Sequence, residues 1–446
     1  MISLPYTQTR TYHQYLLLVP LILLIGFQQF PVINVGGTLK LYEILALIIL
    51  FFYWPKFEWN WTMAGFFLLF VISPILSFAY SSLFLEKPLV FFYRYSESRG
   101  SFRFDNFGFN VLQVIFMFFN FAVVAAIANN KWIFLHMTAI LKKSLYIGTG
   151  IALFSLACFV VNDNPIYYLP KWIHHLTRYY YRVQGLSQEP SFYVLYQCWI
   201  VIINFYLRDK FNGIVWLLML VVNIAALLLT FSSSISAFLL ILAASPFLLR
   251  HKMKVRFAMV FLLGILFAAS YLFLKYNGYL ETVAWTLYDK VSDFFSSSNT
   301  QAVSSGGFRS YTSKIGFEIF KDYPLFGVGV GNSTFYMTTY SKHILSYKTV
   351  GALDLGIFPQ SLYASVPAEQ GIFGALGLMI VITGILFVTF KNRNKTRYHK
   401  MFFLGALFNI AVMFAIQTAY SLFLWVFLAL ALNYLNFYEK KYENCH

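Results

Sequence analysis

Apolar segments long enough to cross a lipid bilayer recur along almost the whole chain. A transmembrane helix needs about 20 consecutive apolar residues, and twelve such segments lie near 15–31, 40–55, 61–82, 110–129, 143–162, 190–207, 213–230, 235–249, 257–275, 364–390, 401–418 and 421–438. Of the 446 residues, 59% are hydrophobic and 11% are charged, whereas a soluble domain carries roughly 25% charge. The sequence therefore predicts one all-α integral membrane domain, residues 1–446, with about 12 transmembrane helices.

The distribution of Lys and Arg predicts the orientation. With the N-terminus in the cytoplasm, the cytoplasmic segments hold 18 Lys and Arg against 4 Asp and Glu, and the external segments hold 15 against 13. Short cytoplasmic loops normally carry the excess of basic residues. Both termini are therefore predicted to be cytoplasmic, and the net charge of +16 gives no reason to expect nucleic acid as a partner.

Three external segments are long, and they span 83–109, 163–189 and 276–363. The last lies between predicted helices 9 and 10 and contains amphipathic pieces, which predict that it is partly helical. Loops of this length in a compact protein usually carry function. The segments 163–189 and 276–363 are therefore predicted to be the functional loops. The inverted repeats that are typical of transporters are not evident.

The segment from Arg178 to Ser191 contains the first candidate site. Arg178 and Arg182 are four residues apart, which would place them on one face of a helix. Glu189 precedes Pro190, a residue favoured in the first turn of a helix. One interpretation is an anion site with an acid beside it, since the planar fork of arginine suits a diphosphate. The other is interfacial anchoring, with Glu189 compensating the helix dipole.

The long external segment contains the second candidate site. Arg309 begins a stretch with helical spacing at Ile315 and Ile319, and Pro324 ends it. The glycine-rich residues 327–331 resemble a phosphate loop, but they lack a Gly-Lys-Ser or Gly-Lys-Thr ending and are predicted to lie outside the cytoplasm. A helix end followed by a close-packed turn is the favoured interpretation.

Further candidates are an acid and several histidines near predicted spans. Glu369 enters the membrane, where an acid is costly and often functional; the alternative is an acid at a helix N-terminus. The pair His174 and His175 has no further ligand at suitable spacing, so an interfacial position is favoured over a metal site. His343 stands alone in the long loop.

These motifs, in this order, resemble the O-antigen polymerase and O-antigen ligase superfamily. The shared features are an Arg-x-x-Gly motif with a Glu-Pro-Ser, a Thr-x-Ser turn, an external Arg followed by Pro-Leu-x-Gly-x-Gly, and a Glu-x-Gly-x-x-Gly. In this chain they lie at Arg182–Gly185 with Glu189–Ser191, at Thr230–Ser236, at Arg309 with 324–329, and at Glu369–Gly374. The resemblance covers residues 178–374.

Two positions depart from the family pattern. Ligase-like members carry a His-Asn pair where this chain has Gln360-Ser361. The Thr-x-Ser turn often contains an arginine, which Ser233 or Ser234 replaces here. The missing histidine favours the polymerase branch over the ligase branch.

The resemblance implies a metal-independent, GT-C-like glycosyltransferase without a cofactor, in the bacterial inner membrane. It would transfer a growing glycan from undecaprenyl diphosphate to a new lipid-linked repeat unit on the periplasmic face. The polymer would be O-antigen or a related surface polysaccharide. The enzyme would thus act in the biosynthesis of lipopolysaccharide or of another polysaccharide. A polysaccharide chain-length regulator is a candidate partner.

The candidate residues can be assigned to the steps of such a transfer. Arg178, Arg182 and Arg309 would stabilise the charge that develops on the diphosphate. Glu189 is the first choice for the base that activates the acceptor hydroxyl, ahead of Glu369 and His343. The predicted catalytic residues are Glu189, Arg309 and Arg182, and the predicted substrate-binding residues are Arg178, Tyr311, Gln360, Glu369 and His343.

Two other functions remain as alternatives. An O-antigen ligase is the alternative within the superfamily, and Gln360 argues against it. A transporter or flippase for lipid-linked sugars is the alternative from a different class, and it predicts ionisable residues in the middle of the spans. Charged residues here concentrate in the loops instead.

Overall fold

A computed structural model of the chain describes residues 6–34, 38–52, 58–85, 106–176, 178, 182–232, 234–249, 305–344, 358–415 and 421–443. Most of the described residues are helical. The strands among them, β1 (Val32–Asn34) and β2 (Thr38–Lys40), form an antiparallel pair in which Ile33 lies opposite Leu39.

The helices of the described residues follow the apolar segments closely. In chain order they are α1 (Tyr6–Leu24), α2 (Leu41–Phe52), α3 (Trp61–Phe84), α4 (Asn106–Ala128), α5 (Lys131–Leu135), α6 (Met137–Val161), α7 (Pro190–Tyr206), α8 (Gly213–Leu228), α9 (Ser234–Leu248), α10 (Ser305–Asp322), α11 (Ser333–Ile344), α12 (Leu362–Asn392), α13 (Arg397–Val412) and α14 (Leu422–Glu443). A short 3₁₀ helix follows α6 at Pro165–Tyr168.

Five of the described helices are long and apolar enough to cross a membrane: α3, α4, α6, α12 and α14. Helices α1, α2 and α8 are apolar but shorter. Eleven of the twelve predicted spans overlap a described helix, and the ninth, 257–275, lies outside the described residues. The structure thus agrees with an all-α membrane protein, whereas the count of twelve crossings and the GT-C class stay predictions.

Polar side chains at the helix starts explain several helix boundaries. Asn60 Oδ1 accepts a hydrogen bond from the Met63 N–H at 2.9 Å where α3 begins, and Thr396 accepts from the His399 N–H at the start of α13. Such caps satisfy N–H groups that have no partner within the helix. Pro190 is the first residue of α7, as its position in the sequence predicts.

Large aromatic side chains fill the core, where α12 packs against α3, α10 and α13. Phe70 of α3 meets Trp425 of α14 edge to face, with the ring centroids 5.0 Å apart. Trp199 of α7 stacks on Phe427 at 4.4 Å and donates a hydrogen bond to Asn409 Oδ1 at 3.0 Å. The buried indole N–H therefore has a partner, as a group removed from water requires.

Loops that the predicted topology places on the same side contact one another. The Val183 N–H, in a segment predicted to be external, donates to the carbonyl of Leu229 just after α8 at 2.9 Å. At the other end of the helices, Arg397 forms an ion pair with Asp209, and both residues belong to predicted cytoplasmic segments. These contacts agree with the predicted alternation of sides, and the assignment of the basic side to the cytoplasm stays a prediction.

Candidate active site

The glycine-rich residues 327–331 interlock with a break in α12. The Val328 N–H donates to the carbonyl of Ala368 at 3.0 Å, and the Gly329 N–H donates to that of Glu369 at 3.1 Å. Helix α12 leaves helical geometry at Gly371, which has a φ of 63°. Because α10 ends just before this turn and the turn packs on α12, the structure has the helix end and close-packed turn that the sequence favoured over a phosphate loop.

Gly327 and Gly371 face each other across this contact. Gly327 also has a positive φ of 68°, and a Cβ there would lie 2.3 Å from the carbonyl carbon of Glu369. A Cβ on Gly371 would lie 2.2 Å from the carbonyl oxygen of Leu325. Both positions therefore need glycine for the close approach of two backbones as well as for their φ angles.

The carboxylate of Glu369 is buried at the N-terminus of α11. Its Oε1 accepts a hydrogen bond from the hydroxyl of Ser333 at 2.6 Å, and the backbone N–H groups of Gly331 and Ser333 also donate to it. An acid beside the N-terminus of a helix is stabilised by the unpaired N–H groups and the helix dipole. Glu369 thus joins α11 to α12, and its predicted role in substrate binding stays a prediction.

We expect Glu369→Gln to lower the free energy of unfolding by about 2–4 kcal/mol, because glutamine offers one acceptor oxygen to three donors, two of them lying in a helix N-terminus. Thermal unfolding of the purified protein measures this change. Ser333→Ala removes one of the three donors and should cost about 1–2 kcal/mol. An unchanged unfolding midpoint together with lost activity would contradict the structural role and favour substrate binding.

Arg309 lies in the first turns of α10, on the segment between α9 and α12 that is predicted to be external. Helix α10 is held against the protein by Ile315 and Ile319, which are completely buried at the predicted helical spacing. Arg309 itself is partly buried. Within the part of the chain that the structure describes, its guanidinium has no ion pair within 4.0 Å.

Glu189 is the acid that acts on Arg309 electrostatically. Burial lowers the pKa of Arg309, and the negative charge of Glu189 opposes that shift. Glu189 is the N-cap residue of α7, but its side chain does not cap the helix; it accepts a hydrogen bond from the Ser191 hydroxyl at 3.1 Å instead. The acid and one of the arginines that the sequence singled out, from two separate segments predicted to be external, therefore interact electrostatically in the structure.

Arg182 is bound to the turn that follows α8. Its Nε donates to the carbonyl of Thr230 at 2.9 Å, and its Nη2 donates to that of Phe231 at 3.3 Å. This is the Thr-x-Ser turn, where the related proteins often carry an arginine and this chain has serine. A cation from the preceding external segment thus lies at that turn, where it also satisfies carbonyls at a helix C-terminus.

Arg178 lies over tyrosine rings and beside an acid. Its guanidinium is 5.0 Å from the centroid of the Tyr167 ring and 3.7 Å from Asp163 Oδ1. Hydrogen bonds from the Tyr168 hydroxyl and the Asn164 N–H lower the pKa of Asp163, and the charge of Arg178 adds to that shift. Neither Arg178 nor Arg182 lies in a helix, so the expectation of a shared helical face is wrong, yet both arginines line the same pocket.

The remaining predicted residues lie at different places. Tyr311 is six residues after the start of α10, and burial raises the pKa of its hydroxyl to about 12. The Gln360 N–H donates to Thr312 Oγ1 at 3.2 Å, which places Gln360 against α10. His343 belongs to α11, and the structure does not describe its side chain. Among the described residues, no group of three or more His, Cys, Asp or Glu side chains could hold a metal ion.

The sequence interpretation missed residues that complete these contacts. Ser77 of α3 donates to the carbonyl of Glu369, and the Ser73 hydroxyl donates to Gln370 Oε1 at 2.5 Å. Gln184, between two residues that were singled out, lines the pocket of the two arginines. Isolated serines in an apolar helix give little signal, whereas the position of Gln184 inside the Arg-x-x-Gly motif could have marked it.

Residues 218–379 match a family model described as O-antigen ligase. This match confirms the resemblance to the O-antigen polymerase and ligase superfamily, and it supports an enzyme that transfers glycosyl groups. It includes Arg309 and the interlocked glycines, whereas Arg178, Arg182 and Glu189 precede it. No curated protein matches the chain.

Proposed function

We propose that this protein is a polysaccharide polymerase that transfers a growing glycan from undecaprenyl diphosphate to a new lipid-linked repeat unit. The observation that carries the proposal is the electrostatic interaction of Glu189 with the partly buried Arg309, which has no ion pair within 4.0 Å among the described residues. Buried charges are normally paired, so the guanidinium is suited to an incoming anion. A diphosphate leaving group is such an anion.

In the proposed reaction, Glu189 and Arg309 act on the two ends of the glycosyl transfer. The acceptor hydroxyl oxygen attacks the anomeric carbon of the donor chain, and the bond from that carbon to the diphosphate oxygen breaks. Glu189 takes the hydroxyl proton, and the electron pair leaves with the diphosphate, whose negative charge Arg309 stabilises. Each cycle adds one repeat unit at the reducing end and releases the lipid diphosphate of the donor.

Arg182 has a positioning role in this proposal. Arg182 holds residues 182–189 against the end of α8, together with the Val183–Leu229 hydrogen bond. Because Glu189 ends this segment, the position of the base depends on that attachment. Arg178 lines the same pocket as Arg182 and adds a cation there.

One residue, Gln360, favours a polymerase over a ligase. Gln360 stands where ligase-like members carry histidine, and its backbone is bound to Thr312 of α10. A glutamine amide cannot accept a proton at neutral pH, so the histidine chemistry of those members has no counterpart at this position. In the proposal, Glu189 supplies the base from the other external segment.

Deletion of the gene tests the function directly in a strain whose polymer is carried on lipopolysaccharide. We expect the ladder of long chains to be replaced by lipid A core carrying one repeat unit, and the intact chain supplied in trans to restore the ladder. Gel electrophoresis of the extracted lipopolysaccharide makes the comparison. Bare core in the deletion strain would contradict a polymerase and indicate a ligase or flippase.

A further inference from the structure

A polar cavity lies between the outer end of α6 and the segment that holds Arg178 and Arg182. Its volume is about 290 Å³, close to the lower end of the roughly 300–1,000 Å³ of small-molecule sites. The residues that decide its chemistry are Asp163, Asn164, Tyr167, Tyr168, Arg178 and Gln184. The last residues of α6, Val160 and Val161, are 81% and 73% exposed, so the cavity lies beside an apolar surface at the predicted membrane boundary.

Gln184 is the group in this cavity that most requires a ligand. Its side chain is 6% exposed, and neither its amide nitrogen nor its amide oxygen has a hydrogen-bond partner among the described residues. A buried amide without partners destabilises a protein, so each such group needs an explanation. The backbone around it is fixed, since the Ser187 N–H donates to the Gln184 carbonyl at 3.2 Å. Gln184 lines the cavity, and its amide can offer two donors and an acceptor to a ligand.

The opposite wall combines aromatic rings with a carboxylate. The Tyr168 hydroxyl donates to Asp163 Oδ2 at 2.8 Å, and the Tyr167 ring lies beneath the Arg178 guanidinium. Tyrosine presents an apolar face together with a polar tip. A sugar ring matches these groups, because it has apolar C–H faces and hydroxyls that both donate and accept hydrogen bonds.

The charges in the cavity favour a sugar over a diphosphate. Arg178 is compensated by Asp163 at 3.7 Å, and Arg182 is bound to the carbonyls of Thr230 and Phe231. The carboxylate of Asp163 would also repel an anion. The cavity thus differs from the surroundings of Arg309, which lacks a direct ion pair within the described residues.

We propose that this cavity binds one sugar ring of the lipid-linked repeat unit, with Gln184 hydrogen bonding to its hydroxyls. The inference rests on the proposed function for the identity of the glycan. Gln184 lies five residues before Glu189 on the segment that Arg182 attaches to α8. A sugar held there, next to the membrane boundary, would position the lipid-linked glycan for reaction at Glu189 and Arg309.

Gln184→Met in the full-length protein tests the site. The probe is the repeat-unit oligosaccharide, released by mild acid from the lipid carrier of the producing strain and free of diphosphate. We expect its dissociation constant, measured by saturation-transfer NMR on protein in nanodiscs, to rise at least about 10-fold in the variant, because methionine keeps the volume but loses the hydrogen bonds. The unfolding midpoint should not fall, since no described partner of the side chain is lost.

Asn204→Leu is the matched control. Asn204 is completely buried, and both of its amide atoms, like those of Gln184, lack a partner among the described residues. It lies at the far end of α7 and outside the cavity. This variant should bind the oligosaccharide as the wild type does. An equal loss of affinity for the oligosaccharide in both variants would show a general packing effect and overturn the proposal.

Three further results separate this inference from the proposed function. Wild-type affinity in Gln184→Met, or no binding to the wild-type protein, would overturn the sugar site even if the protein polymerises glycans. Displacement of the oligosaccharide by inorganic pyrophosphate would also overturn it, because the cavity would then be a phosphate site. Conversely, oligosaccharide binding that depends on Gln184 would support the site even if purified protein fails to extend lipid-linked repeat units.

Discussion

Arg309→Ala should reduce the rate of glycan polymerisation at least about 10²–10³-fold, the usual cost of removing one group that stabilises developing negative charge. The reason is that Arg309 interacts electrostatically with the proposed base and has no described acid within 4.0 Å. Its substitution therefore removes stabilisation from the departing diphosphate. Extension of lipid-linked repeat units by purified protein measures the rate, and the lipopolysaccharide ladder reports the same loss in cells.

The folded protein should survive this substitution. The residues that attach α10 to the protein are Ile315 and Ile319, and the hydroxyls of Thr312 and Ser313 bind the backbone carbonyl of Arg309, which alanine retains. Removing a partly buried guanidinium without a described ion pair can even raise stability. The amount of protein in the membrane and its unfolding midpoint should thus remain close to those of the wild type.

Two variants make the result specific to Arg309. Lys314→Ala removes an exposed cation from the same helix and should leave polymerisation unchanged. Arg309→Lys keeps the charge but loses the planar fork that can hold two phosphate oxygens, so an intermediate loss is expected. Polymer of normal length and amount from Arg309→Ala would remove this residue from the mechanism.

The apolar segments were sufficient to predict the fold class because the signal is local. A run of about 20 apolar residues is stable in lipid only if its backbone groups pair within the segment, and an α-helix achieves this. Five of the predicted spans are accordingly long apolar helices in the structure. The break of α12 at Gly371 was not predicted, because it depends on the backbone of Pro324 and Leu325 more than 40 residues earlier.

The candidate site was predictable in its residue types but not in its contacts. Glu189 and Arg309 were chosen from separate motifs, and their approach requires the tertiary structure. Glu369 was noted as an acid entering the membrane, whereas its contact with the start of α11 depends on how α11 packs. Arg182 was treated as an anion ligand, and its hydrogen bonds to the end of α8 could not be read from its own segment.

These contacts also suggest why the functional residues are spread over a long stretch of sequence. Arg182 attaches the segment before α7 to the end of α8, and Glu369 attaches the segment between α9 and α12 to α12. The base and the cation therefore belong to two loops, each of which is anchored on transmembrane helices. Catalytic groups on loops need such anchors, because a displacement of about 1 Å can cost 10²-fold in rate.

Glu189→Gln should lower the turnover number about 10²–10⁴-fold, the range attributed to a positioned general base. Glutamine has nearly the same shape but cannot take the proton of the acceptor hydroxyl. The side chain of Glu189 makes no capping hydrogen bond to α7, so the substitution should leave the helix and the unfolding midpoint intact. Because the change affects the transition state rather than ground-state binding, KM should change much less than kcat.

The control for this prediction is Ser191→Ala, which removes the hydrogen bond to Glu189 Oε2 but keeps the carboxylate. It should reduce kcat far less than Glu189→Gln does.

The double variant Glu189→Gln with Arg309→Ala adds a sharper test. If proton removal and departure of the diphosphate belong to one transition state, the fold loss of kcat in the double variant should be smaller than the product of the fold losses in the two single variants. Retained polymerisation in Glu189→Gln would exclude this residue as the base and leave Arg309 as a charge-stabilising group that acts with a different acceptor of the proton.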